Sequence, residues 1–333
     1  MLRMIAADPD SLHRQDVDGW NYKIHQDLKE RGSVITLQEL ADYKPKWREP
    51  LEIPIQTTSK DGKNKFTHSV LAMPPPSSGA LVAFGLNIMS VFQYRDAICL
   101  ESCVTAGKFF HRLVETMKVI MNRRSGLGDS DFDHDHSVAQ TLRKLVDYEY
   151  AKQWAKRFRT GETFEPPYYV DSENKVTQSQ IDPKTGTSHI SILGPDGSAV
   201  SVTSTINTPL GSLLMGRQSG ILFNNQMDDF SKPAKPNAYQ LPSSSQNYIE
   251  PGKRPMSSMC PIIVVDQEKN RVQLVAGASG GSRIITSVFS FAVLNLHLRL
   301  NIKEATDMPR LHHQWTPDHI CIENDFPGVC LPT

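Results

Sequence analysis

The sequence predicts a mixed α/β layered fold, on three observations. Helical periodicity dominates the residues before about 160, alternating strand-like segments dominate after Gly186, and an apolar helical segment returns near the end. A length of 333 residues allows two domains or one large layered one, at about 150 residues per domain. No internal repeat divides the chain, and the Ser/Pro-rich "LPSSSQ" is too brief to link independent domains.

The elements follow in order. "WNYKIHQDLKERG" has a helical pattern stopped at Gly32, and "TLQELADY" follows with Thr36 as N-cap and Glu39 three residues later. Strand-like "EPLEIPIQT" comes next, then the punctuated loop "MPPPSSG", which enters an apolar helix over Ala80 to Phe92. Helix is predicted through "AGKFFHRLVETMKVIMNRR" and again through "SVAQTLRKLVDYEYAKQWAKRF". Residues 159–186 carry turn formers without a sustained period and read as a long exposed loop. Beyond them lie two strands around "GPDG", a polar loop from Asn224 to Pro255, apolar "CPIIVVD" and "RVQLVAGAS", and a final helix from about Ile284 to Leu300.

The pair of strands around "GPDG" can be read more finely. Pro195 suits the second position of a type I turn and Gly197 the left-handed position after it, giving a three-residue loop with a bulge. That loop pairs Gly194 with Ser198. Running outward, it sets Ile192 opposite Val200, Ile190 opposite Val202 and Ser188 opposite Ser204 on a mostly apolar face. Ser191 with Ser201, His189 with Thr203, and Thr187 with Thr205 occupy the other. A one-residue slip would mix the faces, so their separation supports the register.

The polar face must meet water, a cleft or a buried polar network. Threonine is a favoured strand residue, and a Thr/Ser ladder is compatible with a purely structural role. A solvent face would more usually carry Lys and Glu, and short hydroxyls suit a site better. A threonine hydroxyl becomes a useful nucleophile only beside a base, and one solution is the residue's own amine when it is an N-terminus. Gly186 would then be the residue removed, its lack of a side chain letting the Thr187 hydroxyl approach the preceding carbonyl.

Composition narrows the partners. Hydrophobic residues make up 39% and charged residues 22%, and 36 basic residues balance 36 acidic ones, with each side of Thr187 itself neutral. A nucleic-acid partner needs clustered excess base and is not expected. Five cysteines (Cys99, Cys103, Cys260, Cys321, Cys330), an odd number without a CxxC pair, indicate neither a zinc ribbon nor a disulfide framework. "MLRMIAADPD" lacks the apolar core of a signal peptide. The longest apolar stretches fall short of the ~20 residues a membrane span requires, so the chain reads as soluble.

At these residues the sequence resembles the gamma-glutamyltransferases (glutathione hydrolases) of the N-terminal-nucleophile hydrolase class. Thr187-Ser188-His189, Gly197-Ser198, Thr203-Ser204-Thr205-Ile206-Asn207 and Gly211 follow the family signature, and the match continues through "SGILFNNQMDDFS", "PGKRPMSSMCP" and "GASGGS". Leu210 departs from it, standing where the family has Phe or Tyr, which implies a reshaped pocket wall. The resemblance implies an αββα sandwich, here incomplete, and self-cleavage between Gly186 and Thr187. Residues 1–186 would be the C-terminal part of the large subunit. Residues 187–333 would be the small catalytic subunit without its last part, the two intertwined in one sandwich and associating after cleavage.

The resemblance also implies roles. Thr187 is the nucleophile and Thr205 orients it. Asn207, Gln226 and Asp229 hold the substrate's α-ammonium, and Ser257 and Ser258 its α-carboxylate. Gly280 and Gly281, just before the predicted helix at Ile284, offer backbone N–H groups to a developing oxyanion. Taken alone, a Ser-Ser pair says little, a Gly pair is more often merely a tight turn, and "NNQMDDF" is equally a turn-rich loop. The implied substrates are glutathione and other γ-glutamyl compounds, with water, an amino acid or a dipeptide as acceptor. No cofactor is implied.

Two clusters are set aside. "DSDFDHDHS", with Asp131, Asp133, His134, Asp135 and His136, offers metal-ligand types, but consecutive residues cannot all converge on one ion, so no metal is assigned. His312-His313 reads as a helix-end pair. By the same resemblance the sequence would begin midway through the family's large subunit, after the membrane anchor of animal members and an arginine that in the family clamps the substrate carboxylate. Animal members imply the extracellular face of the plasma membrane, although no Asn-x-Ser/Thr acceptor occurs. The alternative reading is a non-catalytic homologue or fragment that keeps the scaffold as a binding module.

Overall fold

A helix that is apolar on every side must be surrounded, and the helix Gly79–Ser90 is: each of its twelve residues is buried. The computed structural model describes the whole chain except residues 1, 9, 11, 12, 14, 15, 17, 18, 59–62, 64, 95, 97–99, 171–185, 238 and 327–333. Its helices are α1 Leu2–Ala7, α2 Trp20–Lys29, α3 Leu37–Asp42, α4 Gly79–Ser90, α5 Cys103–Arg124, α6 Ser137–Val146, α7 Tyr148–Arg157, α8 Arg283–Leu296 and α9 Ile302–Asp307. Its strands are β1 Leu51–Thr58, β2 Lys65–Ala72, β3 Thr187–Leu193, β4 Ala199–Thr205, β5 Ile262–Asp266, β6 Arg271–Ala276, β7 Leu311–His312 and β8 Cys321–Ile322.

β1-β2-β5-β6 form an antiparallel sheet in that order. The register aligns Ile53, Val70, Val264 and Leu274. These residues are almost fully buried, as side chains of one face must be when it meets a helical layer. α4 packs on β1 and β2, and α5, α6, α7 and α8 surround α4. The β3–β4 hairpin lies against β5 and β6 and forms a second sheet layer of two strands.

The hairpin has the predicted register, from Thr187 opposite Thr205 to Leu193 opposite Ala199. Its loop closes through Gly194 N–H donating to the Ser198 carbonyl at 2.7 Å, with Gly197 at φ 87°. Thr36 and Glu39 form the capping box expected at α3. Gly32 has φ 78°, the left-handed geometry that ends α2.

Several expectations are corrected. β2 was not foreseen, because His68 and Ser69 break its apolar pattern, although both side chains are buried. The helix predicted over residues 137–158 is two, broken at Asp147, whose carboxylate accepts the Glu149 N–H and caps α7. The last helix ends at Leu296, and a capping box at Asn301 and Glu304 starts α9. The predicted exposed loop is packed at its start, where Tyr169 is fully buried; its residues 171–185 lie outside the described ones. His312 sits in β7 and not at a helix end, with Nδ1 2.6 Å from Thr286 Oγ1. Of the cysteines, Cys99 and Cys330 lie outside the described residues, while Cys103, Cys260 and Cys321 are free thiols.

Candidate active site

The start of β3 places Thr187 at one end of the hairpin, where its Oγ1 lies 2.8 Å from Thr205 Oγ1. The same Thr205 hydroxyl accepts the Asn207 N–H at 2.9 Å and lies 3.4 Å from the Gly186 carbonyl oxygen. Gly186 is pinned by its N–H to the Asn207 carbonyl at 2.8 Å and by its carbonyl to the Ile206 N–H at 3.0 Å. A Cβ on Gly186 would meet the Thr208 carbonyl oxygen at 2.3 Å, so only glycine fits this approach.

Thr187 and Thr205 open on a small, partly open cavity that they line with Arg124, Asn207, Gln226, Asp229, Tyr239, Ser257, Ser258, Met259, Gly281 and Ile284. Eight of the nine residues predicted from the sequence therefore meet there. Gly280, the ninth, is adjacent: Gly280 has φ 130° and Gly281 φ 60°, and their carbonyls accept the N–H groups of Arg283 and Ile284 at the start of α8. Leu210 does not line the cavity. It is 60% exposed at φ 62°, so its departure from the family pattern falls on an outer loop and not on the pocket wall.

The polar residues are held in one network. Tyr239 donates its hydroxyl to Asn207 Oδ1 at 2.6 Å, and Asn207, at φ 75°, donates Nδ2 to the Asn225 carbonyl at 3.1 Å. Gln226 donates Nε2 to Asp229 Oδ2 at 2.9 Å, and its Oε1 is buried without a partner among the described residues. Burial pushes the Asp229 carboxyl up to about 6, with Asp228 adding to the rise, while the Arg124 cation and the donors Asn207 and Gln226 oppose it. Ser257 is fixed by its N–H to the Pro76 carbonyl at 2.8 Å, and its Oγ accepts the Met259 N–H at 3.1 Å. A paired hydroxyl, a buried carboxylate with amide oxygens, two serines and a glycine turn at a helix start can hold both poles of an amino acid beside a nucleophile.

His189 explains the hairpin's inward turn. Its ring bonds Thr203 Oγ1 and Ser191 Oγ, both at 2.9 Å, and lies over Gly277, where a Cβ would come within 2.2 Å of it. Burial lowers its pKa, which favours the neutral imidazole. Ser201 donates to the Ala276 carbonyl at 3.0 Å.

The acidic cluster disperses. Asp131 pairs with Lys46 and Arg48, Asp133 caps α6 through the N–H groups of Val138 and Ala139, His134 meets Glu250, and Asp135 accepts the Ser137 N–H.

The family model for gamma-glutamyltranspeptidase matches residues 21–332. The chain belongs to this family. It is 36% identical over 340 residues to the glutathione hydrolase proenzyme of Escherichia coli, covering 98% of this chain and 52% of that protein. It is 35% identical over 305 residues to scoloptoxin SSD14 of Scolopendra dehaani, covering 92% and 49%. Among solved structures it resembles the cephalosporin acylase of Bacillus halodurans, with a TM-score of 0.71 at 21% identity over 98% of this chain and 51% of that one, a likeness of fold. The chain thus spans about half the length of the relatives it matches. Among the described residues, no helix is long and apolar enough to cross a membrane.

Sequence reasoning missed Arg124, Tyr239, Met259 and Ile284 as lining residues. "MNRR" ends a long helix, where basic residues ordinarily meet solvent and the helix dipole, so nothing local marked Arg124 as buried.

Proposed function

We propose that this chain carries a γ-glutamyl hydrolase and transferase site whose nucleophile is Thr187, freed by cleavage of the Gly186–Thr187 bond. The observation that carries this reading is the 2.8 Å contact of Thr187 Oγ1 with Thr205 Oγ1, at the wall of a cavity shared with Asp229, Ser257, Ser258 and Gly281. Thr187 Oγ attacks the γ-carbonyl carbon of glutathione or a related amide, and its proton passes through the Thr187 amine to the leaving nitrogen as the C–N bond breaks. The oxyanion meets the Gly280–Gly281 turn. Asn207, Gln226 and Asp229 take the α-ammonium, and Ser257 and Ser258 the α-carboxylate. Water, or the amine of an amino acid or dipeptide, then resolves the glutamyl ester.

In this reading residues 1–186 and 187–333 become two chains that stay together. Contacts across the boundary support it: Ser78 Oγ donates to the Ser257 carbonyl at 2.7 Å, Asp27 accepts the N–H groups of Gln218 and Ser219 at 2.9 and 2.8 Å, and Lys118 lies 3.7 Å from Asp318. The test is a denaturing gel with N-terminal sequencing, beside glutamate release from a γ-glutamyl anilide. Wild type yields a new terminus at Thr187 and releases glutamate, and Thr187→Ala loses both. An uncut, inactive wild-type chain, or turnover surviving in Thr187→Ala, overturns the reading.

A further inference from the structure

A buried cation with no carboxylate in hydrogen-bond contact is costly, and among the described residues Arg124 has none. It is the last residue of α5, 8% exposed, and it lines the Thr187 cavity. Its Nη2 donates to the Met256 carbonyl at 2.9 Å, and its Nε is out of solvent without a partner among the described residues. Met256 immediately precedes Ser257 and Ser258. Its own N–H donates to Asn247 Oδ1 at 2.8 Å, and Asn247 Nδ2 donates to the Asp229 carbonyl at 2.7 Å. The Met256 peptide is therefore gripped from both sides, once by Arg124 and once by a residue that also holds Asp229.

We propose that Arg124 is a positioning residue for both poles of the site: it seats the peptide leading to Ser257 and Ser258 and supplies the fixed positive charge that keeps the Asp229 carboxylate ionised. This rests on the substrate reading above for its consequence, although not for the coupling itself. The charge balance is local. Asp229 is faced by Arg124 from α5, by Asp228 on its own turn, by the Tyr239 phenol, and by the neutral donors Asn207 and Gln226. After scission the Thr187 amine joins them. Among the described residues Arg124 is a cation that acts on Asp229 and shares its cavity, and it stays protonated at neutral pH, its pKa lowered by burial only to about 10. Without it, burial and Asp228 both push the Asp229 proton on.

Two variants separate charge from structure. Arg124→Gln keeps a donor for the Met256 carbonyl and removes the charge, and Arg124→Lys keeps the charge. In the full chain labelled with [¹³Cγ]aspartate, with Asp229→Asn assigning the resonance, the Asp229 midpoint rises by at least one pH unit in Arg124→Gln and by less than half that in Arg124→Lys. An unchanged midpoint in Arg124→Gln overturns the proposal. Calorimetry with L-glutamate at pH 7.5 shows at least tenfold weaker binding to Arg124→Gln, and acid loss of binding begins at higher pH. Affinity and pH profile equal to wild type likewise overturn it. Should Arg124→Gln fail to fold, the reciprocal titration decides. The side-chain amine of Arg124→Lys titrates at least one unit lower when Asp229→Asn is added, and equal midpoints overturn the coupling. Failure of wild type to bind L-glutamate sinks the substrate reading alone, because the carboxyl titration needs no ligand.

Discussion

The four-stranded sheet and the β3–β4 hairpin obey opposite rules. In the sheet, Ile53, Ile55, Val70 and Val264 are almost fully buried on the face that meets the helical layer, and in β1 the apolar alternation alone locates the core. In the hairpin, the hydroxyl and imidazole face turns inward toward β6, while Ile190, Ile192, Val200 and Val202 are about half exposed. Burial of apolar area drives the first arrangement. The second accepts exposed apolar surface because Thr187 must stand beside a polar cavity. Alternation thus reveals two faces, and only the chemistry of the residues says which faces in.

The comparison is broken first at the sheet. Ile55 is wholly buried on the α4 face of β1. Ile55→Ala removes buried methylene and leaves a cavity, with an expected loss of about 2–5 kcal/mol. Denaturant titration measures it, and a loss below about 1 kcal/mol would mean that this face is not the core.

The seam between the two regions ranks next. Gly277, beside β6, has no room for a methyl group because the His189 ring occupies it. Gly277→Ala forces the ring, and with it the Thr203 and Ser191 bonds, to shift, at about 1–3 kcal/mol for overpacking. Because the hairpin carries Thr187, the cleavage proposed at Gly186 should slow in parallel. Unchanged stability and cleavage would show that His189 does not seat the hairpin on β6.

These contrasts explain what was legible. The hairpin register was readable because Gly197 and the "GPDG" loop fix it locally, so the Thr187–Thr205 pairing followed from arithmetic. The capping box at Thr36 was equally local. β2 was obscured because His68 and Ser69 are buried polar residues, and Thr57 Oγ1, 3.0 Å from His68 Nε2, comes from a different strand. Asp147 divided α6 from α7 with little warning, since helical periodicity continues through it. Arg124, like His68, is a buried polar residue, and Met256 and Asp229, which it acts on, lie over a hundred residues away. Motifs named most of the cavity wall, and packing alone identified the residue behind it.

The smallest expected effect tests the hairpin's outer face. Ile192 is 52% exposed and Val200, directly opposite, 47%, so neither has its burial to lose. Threonine keeps the β-branched shape that strands favour and adds only a hydroxyl that water can satisfy. Ile192→Thr should therefore change stability by no more than about 0.5 kcal/mol, the range for surface substitutions. A contiguous apolar patch on a two-stranded sheet is also a place where other polypeptide can settle. A measured loss above about 1 kcal/mol, or a loss that grows with protein concentration, would mean that this face is covered in solution. The inversion between hairpin and sheet would then be one of layer order, with both apolar faces buried and only the Thr187 face left to chemistry.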